Sequence, residues 1–125
     1  MGLDKNRYCI IGSLILGLFI ASCVQETKKQ HVEFFVDAKG VENVNSISVR
    51  GSLPPLSWNQ NYELKDEDND SIYTGSIVFD IPYDVVEIKF VKNEDQFELN
   101  DLPNRNLHFD DNQDTKYKVK FDVMK

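Results

Sequence analysis

From His31 onward, apolar and polar residues alternate along the chain with a period of two, the signal of half-buried strands. The runs are HVEFFVDA, SISVRGS, YELKD, IYTGSIVFDI, VVEIKFVKN, QFELN, NLHFD and TKYKVKFDV. Val, Ile, Phe and Tyr fill them, side chains that suit a pleated surface. Turn formers separate them: Lys39-Gly40, Leu53-Pro54-Pro55, Asp66 to Asp70, Pro82-Tyr83, Asn93-Glu94-Asp95 and Asp101 to Asn104. No stretch combines helical periodicity with caps. Seven or eight short strands at this spacing predict an all-β, antiparallel β-sandwich.

The faces can be assigned within single strands. In the last run Tyr117, Val119, Phe121 and Val123 point one way, and Lys116, Lys118, Lys120 and Asp122 the other. Val86, Ile88 and Phe90 share a face in the run that starts at Val85. Two sheets with one wet face each give an immunoglobulin-like layout.

The first residues have a different pattern. Lys5 and Arg7 precede an uncharged apolar run from Tyr8 to Ala21. Its length suits a signal-peptide core better than a spanning helix of ~20 residues; a retained single-pass anchor is the alternative. The run closes on Ile20-Ala21-Ser22-Cys23, followed by polar QETKKQ. This tetrapeptide resembles the lipobox of bacterial lipoproteins. The resemblance implies cleavage before Cys23 and lipid attachment to it, each buried acyl CH₂ adding about 0.8 kcal/mol of membrane affinity. The expected organisation is a signal peptide over 1–22, a lipidated Cys23 with a tether over 23–30, and a sandwich domain over 31–125. The protein would then be exported and membrane-anchored, facing the periplasm or the cell surface.

Composition narrows the partners. Of the two cysteines, Cys9 would leave with the signal peptide and, if Cys23 is acylated as the lipobox resemblance implies, no disulfide would support the domain. Without Lys5, Arg7 and Asp4, 12 basic and 20 acidic residues remain, a net charge of −8. That argues against nucleic acid and against an electrostatic hold on anionic lipid. It suits a neutral ligand.

Signals for catalysis are weak. The chain has no Ser-His-Asp set and no nucleophile elbow, and His31 and His108 have no ligand partner at metal-binding spacing. No cofactor and no metal are expected. Carboxylates are plentiful, but a small sandwich has little room for the cleft that a glycosidase pair needs. The turn Asp66 to Asp70 spaces Asp66, Asp68 and Asp70 like the start of a calcium loop. Ser71 then replaces the Gly, and Ile77 the bidentate Glu. It reads better as a hairpin connection between YELKD and IYTGSI.

Trp58, the single Trp, lies in the breaker-rich loop GSLPPLSWNQN. A large indole there is either an inward plug or an outward platform. Phe97 poses the same question. Exposed together, such rings would suit the flat C–H faces of a sugar, with amide and charged groups meeting the hydroxyls.

Three segments, taken in order, carry a family resemblance. Ser48-Val49-Arg50-Gly51-Ser52-Leu53-Pro54, followed by Leu56-Ser57-Trp58, resembles the start of a starch-binding domain of carbohydrate-binding module family 20. Val86-Glu87-Ile88-Lys89-Phe90-Val91 is similar to that family's Glu-Tyr-Lys-Phe strand. Phe97-Glu98 with Pro103-Asn104-Arg105 is similar to its Trp-Glu…Pro-Asn-Arg segment. The resemblance implies non-catalytic binding of an α-glucan at one site. Trp58 would stack on a sugar ring, Lys89 would donate to hydroxyls, and Glu98 and Asn104 would accept from and bridge to them. Phe97 stands where the family has a second Trp. Arg105 would pin the loop. Tyr73 falls near a position of the family's second site, with no convincing partners. A separate glucan-degrading enzyme is an implied partner. Because Phe97 is smaller than Trp and lacks its N–H, the rival expectation is a protein-interaction module that kept the sandwich and lost the sugar site.

Overall fold

The computed structural model of the chain describes residues 26–124. Its strands are β1 (Lys28–Asp37), β2 (Ile47–Gly51), β3 (Tyr62–Leu64), β4 (Ile72–Ile81), β5 (Val85–Lys92), β6 (Gln96–Phe97), β7 (Arg105–His108) and β8 (Asp114–Lys120). No helix forms among the described residues. A three-stranded sheet has the order β4-β1-β8, and a five-stranded sheet runs β3-β2-β5-β6 with β7 also paired to β5. The molecule is thus the all-β, two-sheet structure that the alternation predicts, with a strand for each apolar run.

β1 is the spine of the smaller sheet. It pairs antiparallel with β4 from Lys28↔Ile81 to Asp37↔Ile72, and parallel with β8 from His31↔Asp114 to Asp37↔Lys120. Strand formation starts earlier than expected, inside the segment read as a tether. β4 extends to Ile81 and so provides pairing partners for Lys28, Lys29 and Gln30, and Gln30 is buried. The segment read as a signal peptide and Cys23, read as the lipid-attachment site, lie outside the described residues.

The core lies between the sheets. Val32, Phe34 and Val36 of β1 and Ile77, Phe79 and Ile81 of β4 meet Ile47 and Val49 of β2, Val86, Ile88 and Phe90 of β5, and Leu107 of β7. Burying each such side chain contributes about 1.5–3 kcal/mol. Phe34 meets Phe90 edge-on across the layers, centroids 5.9 Å apart, and Tyr117 completes an aromatic group with both. No cysteine lies between residues 26 and 124, so this part of the chain stands on packing without a disulfide.

Two strands stop short of their apolar runs. β8 ends at Lys120 and the chain turns at Asp122, where φ is +64°. Val123, expected to share the face of Tyr117, is 39% exposed. β6 ends at Phe97 because the backbone reverses at Leu99, with φ at +53°. That conformation disfavours a bulky side chain, and it is held by the Leu99 N–H donating to Asp122 Oδ1 at 2.7 Å.

Candidate functional site

The outward face of the five-stranded sheet carries most of the residues singled out in the sequence. Directly paired residues on neighbouring strands share a face. Arg50 of β2 is the partner of Lys89 of β5. Continuing the β2–β3 register one residue beyond Tyr62 brings Asn61 opposite Arg50. Continuing β5–β7 one residue before Arg105 brings Asn104 opposite Lys89. Asn61, Arg50, Lys89 and Asn104 therefore form one row of donors and acceptors, about 14 Å long at the usual strand spacing. The next row holds Ser48, Val91 and Phe97.

Arg50 is the junction of this face. Its Nε donates to Asn61 Oδ1 at 2.7 Å, its Nη1 to the Trp58 carbonyl at 2.9 Å and its Nη2 to the Glu94 carbonyl at 3.3 Å. Asn61 Nδ2 donates to the same Glu94 carbonyl at 3.0 Å. The guanidinium lies over the Phe97 ring, 5.1 Å from its centroid, a cation–π distance.

Trp58 sits at the tip of a tight turn. Ser57 and Gln60 form an antiparallel bridge, and the Asn59 N–H donates to Ser57 Oγ at 3.1 Å. The indole is half-buried, as is the Phe97 ring, so each is intermediate between plug and open platform. Lys89 is half-buried and its Nζ donates to the Leu102 carbonyl at 3.2 Å. That bond uses one of three ammonium N–H groups. Asn104 is half-buried at the start of β7.

Glu98 is the residue that the structure removes from this set. Its side chain is fully buried, and its two oxygens accept from Arg105 Nε at 2.7 Å, Arg105 Nη2 at 2.8 Å, the Phe90 N–H at 3.0 Å and the Asp122 N–H at 3.0 Å. The carboxylate points inward because Glu98 follows the outward Phe97 in the alternation and continues the ladder opposite Phe90, to whose carbonyl its N–H donates at 3.0 Å, so no sugar hydroxyl can reach it. Arg105 holds the other side of the pair and also donates to the Lys120 and Val123 carbonyls, at 3.1 and 2.8 Å. Burial works against the Arg105 charge, and the Glu98 carboxylate more than offsets it, leaving the guanidinium's pKa above its ordinary value.

Elsewhere, Asp66 caps its own turn. Its Oδ1 accepts from the Asp70 N–H at 3.1 Å and its Oδ2 from the Ser71 N–H at 2.9 Å. That turn links two sheets, β3 in one and β4 in the other, and is closed by a Lys65–Thr74 bridge. It is therefore not a simple hairpin. His31 and His108 are exposed on β1 and β7. Tyr73 is half-buried against the core, where desolvation raises its phenol pKa.

Arg50 and Asn61 are the members of this face that sequence reasoning missed. An outward polar residue just before Gly51 was a visible signal for Arg50. Nothing local marks Asn61, whose place depends on the register between β2 and β3. No protein-family model matches the chain, and no curated protein matches it.

Proposed function

We propose that the domain binds a starch-like α-glucan (starch, glycogen or maltodextrin) without catalysing its breakdown, and that it does so on an exported lipoprotein anchored through Cys23. The observation that carries this reading is the convergence on Arg50 of the Trp58 turn, through its backbone carbonyl, and of the Phe97 ring, beside Lys89 and Asn104 on one sheet face. A glucose unit has apolar C–H faces and a rim of hydroxyls. Half-exposed rings suit the first, and the row of amide and cationic groups suits the second. The ligand set is Trp58, Phe97, Lys89 and Asn104, without Glu98. Such a face holds a polymer from one side and does not close over a bond.

One or two stacked rings and a few wet hydrogen bonds give modest affinity, in the millimolar to micromolar range of roughly −4 to −8 kcal/mol. Anchoring many copies on one membrane raises the effective strength without new contacts. A glucan-degrading enzyme working beside the anchored module is the natural partner.

The rival reading, a protein-interaction module with a decayed sugar site, draws on one observation. The Arg50 guanidinium already covers part of the Phe97 ring. Retention on insoluble starch separates the two. The chain, in a detergent without a sugar headgroup, is expected to be retained and released by maltoheptaose, and Trp58→Ala is expected to abolish retention. A folded chain that passes straight through the starch overturns the glucan reading and favours the interaction module.

A further inference from the structure

Arg50 touches four pieces of chain at once: its own strand β2, the Trp58 turn, Asn61 at the entrance to β3, and the Asn93–Asp95 turn that leads into β6. Among the described residues the one ion pair is Arg105–Glu98, so Arg50 has no carboxylate partner there. Its three hydrogen bonds all end on neutral oxygens. The residue across from it is the cation Lys89. The side chain is therefore used for its geometry more than for its charge.

We infer that Arg50 is the positioning residue of this face, holding the loop that carries Trp58 and the turn that carries Phe97 in one fixed arrangement. Its consequence for ligand affinity rests on the glucan reading above; the clamp itself does not. Loops that must be ordered during binding lower affinity, and pre-ordering them removes that loss. A planar guanidinium with five N–H groups in a fixed fork reaches three acceptors from different segments while lying over the Phe97 ring, 5.1 Å from its centroid. The strand pairing of β2 with β5 fixes its root. Asn61 closes the circuit by donating to the Glu94 carbonyl that Arg50 also holds. Phe97 and Trp58 are thus set by one post, the Trp58 turn through a backbone carbonyl and Phe97 through its ring.

The single Trp of the chain is a reporter at the right place. The test uses the full chain in a detergent without a sugar headgroup, with Arg50→Met, Arg50→Lys and Asn61→Ala. Acrylamide quenching of Trp58 is read without ligand, and maltoheptaose affinity is read separately. In folded Arg50→Met, quenching is expected to rise above wild type and affinity to fall by about tenfold or more. Arg50→Lys is expected to behave like Arg50→Met, since one ammonium cannot span the fork. If Arg50→Met does not fold, Asn61→Ala at the sheet edge carries the test, with a smaller change in the same direction. Unchanged quenching in the folded variants overturns the inference, as does full rescue by lysine. If wild type binds no maltoheptaose, the glucan reading fails; a rise in quenching still supports the clamp.

Discussion

Around Glu98, four N–H groups converge on two oxygens, two of them from Arg105 and the others from Phe90 and Asp122. The pair ties β5, β7 and the segment after β8 together from inside, with the guanidinium also lying 5.6 Å from the Phe90 ring centroid. Taking such charges out of water is costly, and the cost is offset only while both partners are present. Removing one leaves a buried, unpaired charge, a loss of about 3–5 kcal/mol. Glu98→Gln is therefore expected to lower the unfolding free energy in urea by that amount. Starch retention by its folded fraction should stay at the wild-type level. Weakened retention with unchanged stability would return Glu98 to the ligand face. The sequence shows Glu98 and Lys89 alike, as charged residues in strand-like runs. What separates them is register: one residue past Phe97, Glu98 falls opposite the inward-facing Phe90, whereas Lys89 lies opposite Arg50 on the outer face. The pinning role expected of Arg105 agrees with its bonds to the Lys120 and Val123 carbonyls.

At the scale of elements, the end of β2 sets how the Trp58 loop leaves the sheet. A Cβ on Gly51 would stand 2.8 Å from Leu56 Cδ1, 3.0 Å from the Glu87 carbonyl oxygen and 3.2 Å from Ile88 Cγ2. Leu56 is buried and roots the loop in the core, two residues before Trp58. The missing side chain is what lets the loop fold back so closely. Gly51→Ala forces backbone and Leu56 to shift, and crowding of this kind destabilises by about 1–3 kcal/mol. It is expected to lower the thermal midpoint and also to move the Trp58 emission. Gly75→Ala is the control. Its Cβ would meet Leu64 Cδ2 at 2.7 Å, away from the loop, so stability should fall with the Trp58 emission unchanged. Equal emission shifts in both variants would mean that Leu56 does not set the loop. The strands themselves were legible, because period-two alternation is a property of one segment. The row from Asn61 to Asn104 was not, since it exists only when four segments are placed in register. Register depends on pairing between distant residues.

The whole molecule is held by one core between two sheets, and Tyr117 reports on it. Its ring lies 6.1 Å from Phe34 of the smaller sheet and 6.4 Å from Phe90 of the larger one. Desolvation raises its phenol pKa above the ordinary 10.0; the Arg105 charge pulls it back, and Glu98 adds to the rise. The folded molecule thus keeps this proton at a pH where the unfolded chain has released it. Stability from the group is fully present below the unfolded value of about 10 and is lost as pH climbs from there towards the raised folded value. Tyr73, whose phenol is shifted the same way by burial, adds to the loss. A difference between two variants isolates the contribution of the phenol. Tyr117→Phe removes the phenol and keeps the ring between Phe34 and Phe90. Its thermal midpoint should fall less steeply than that of wild type between about pH 9 and pH 11, whatever the offset between the two at neutral pH. Parallel curves would mean that the phenol is as free in the folded state as in the unfolded one. In that case the two sheets would not close over Tyr117, and the packing that joins Phe34 to Phe90 across the core would be looser than its geometry indicates.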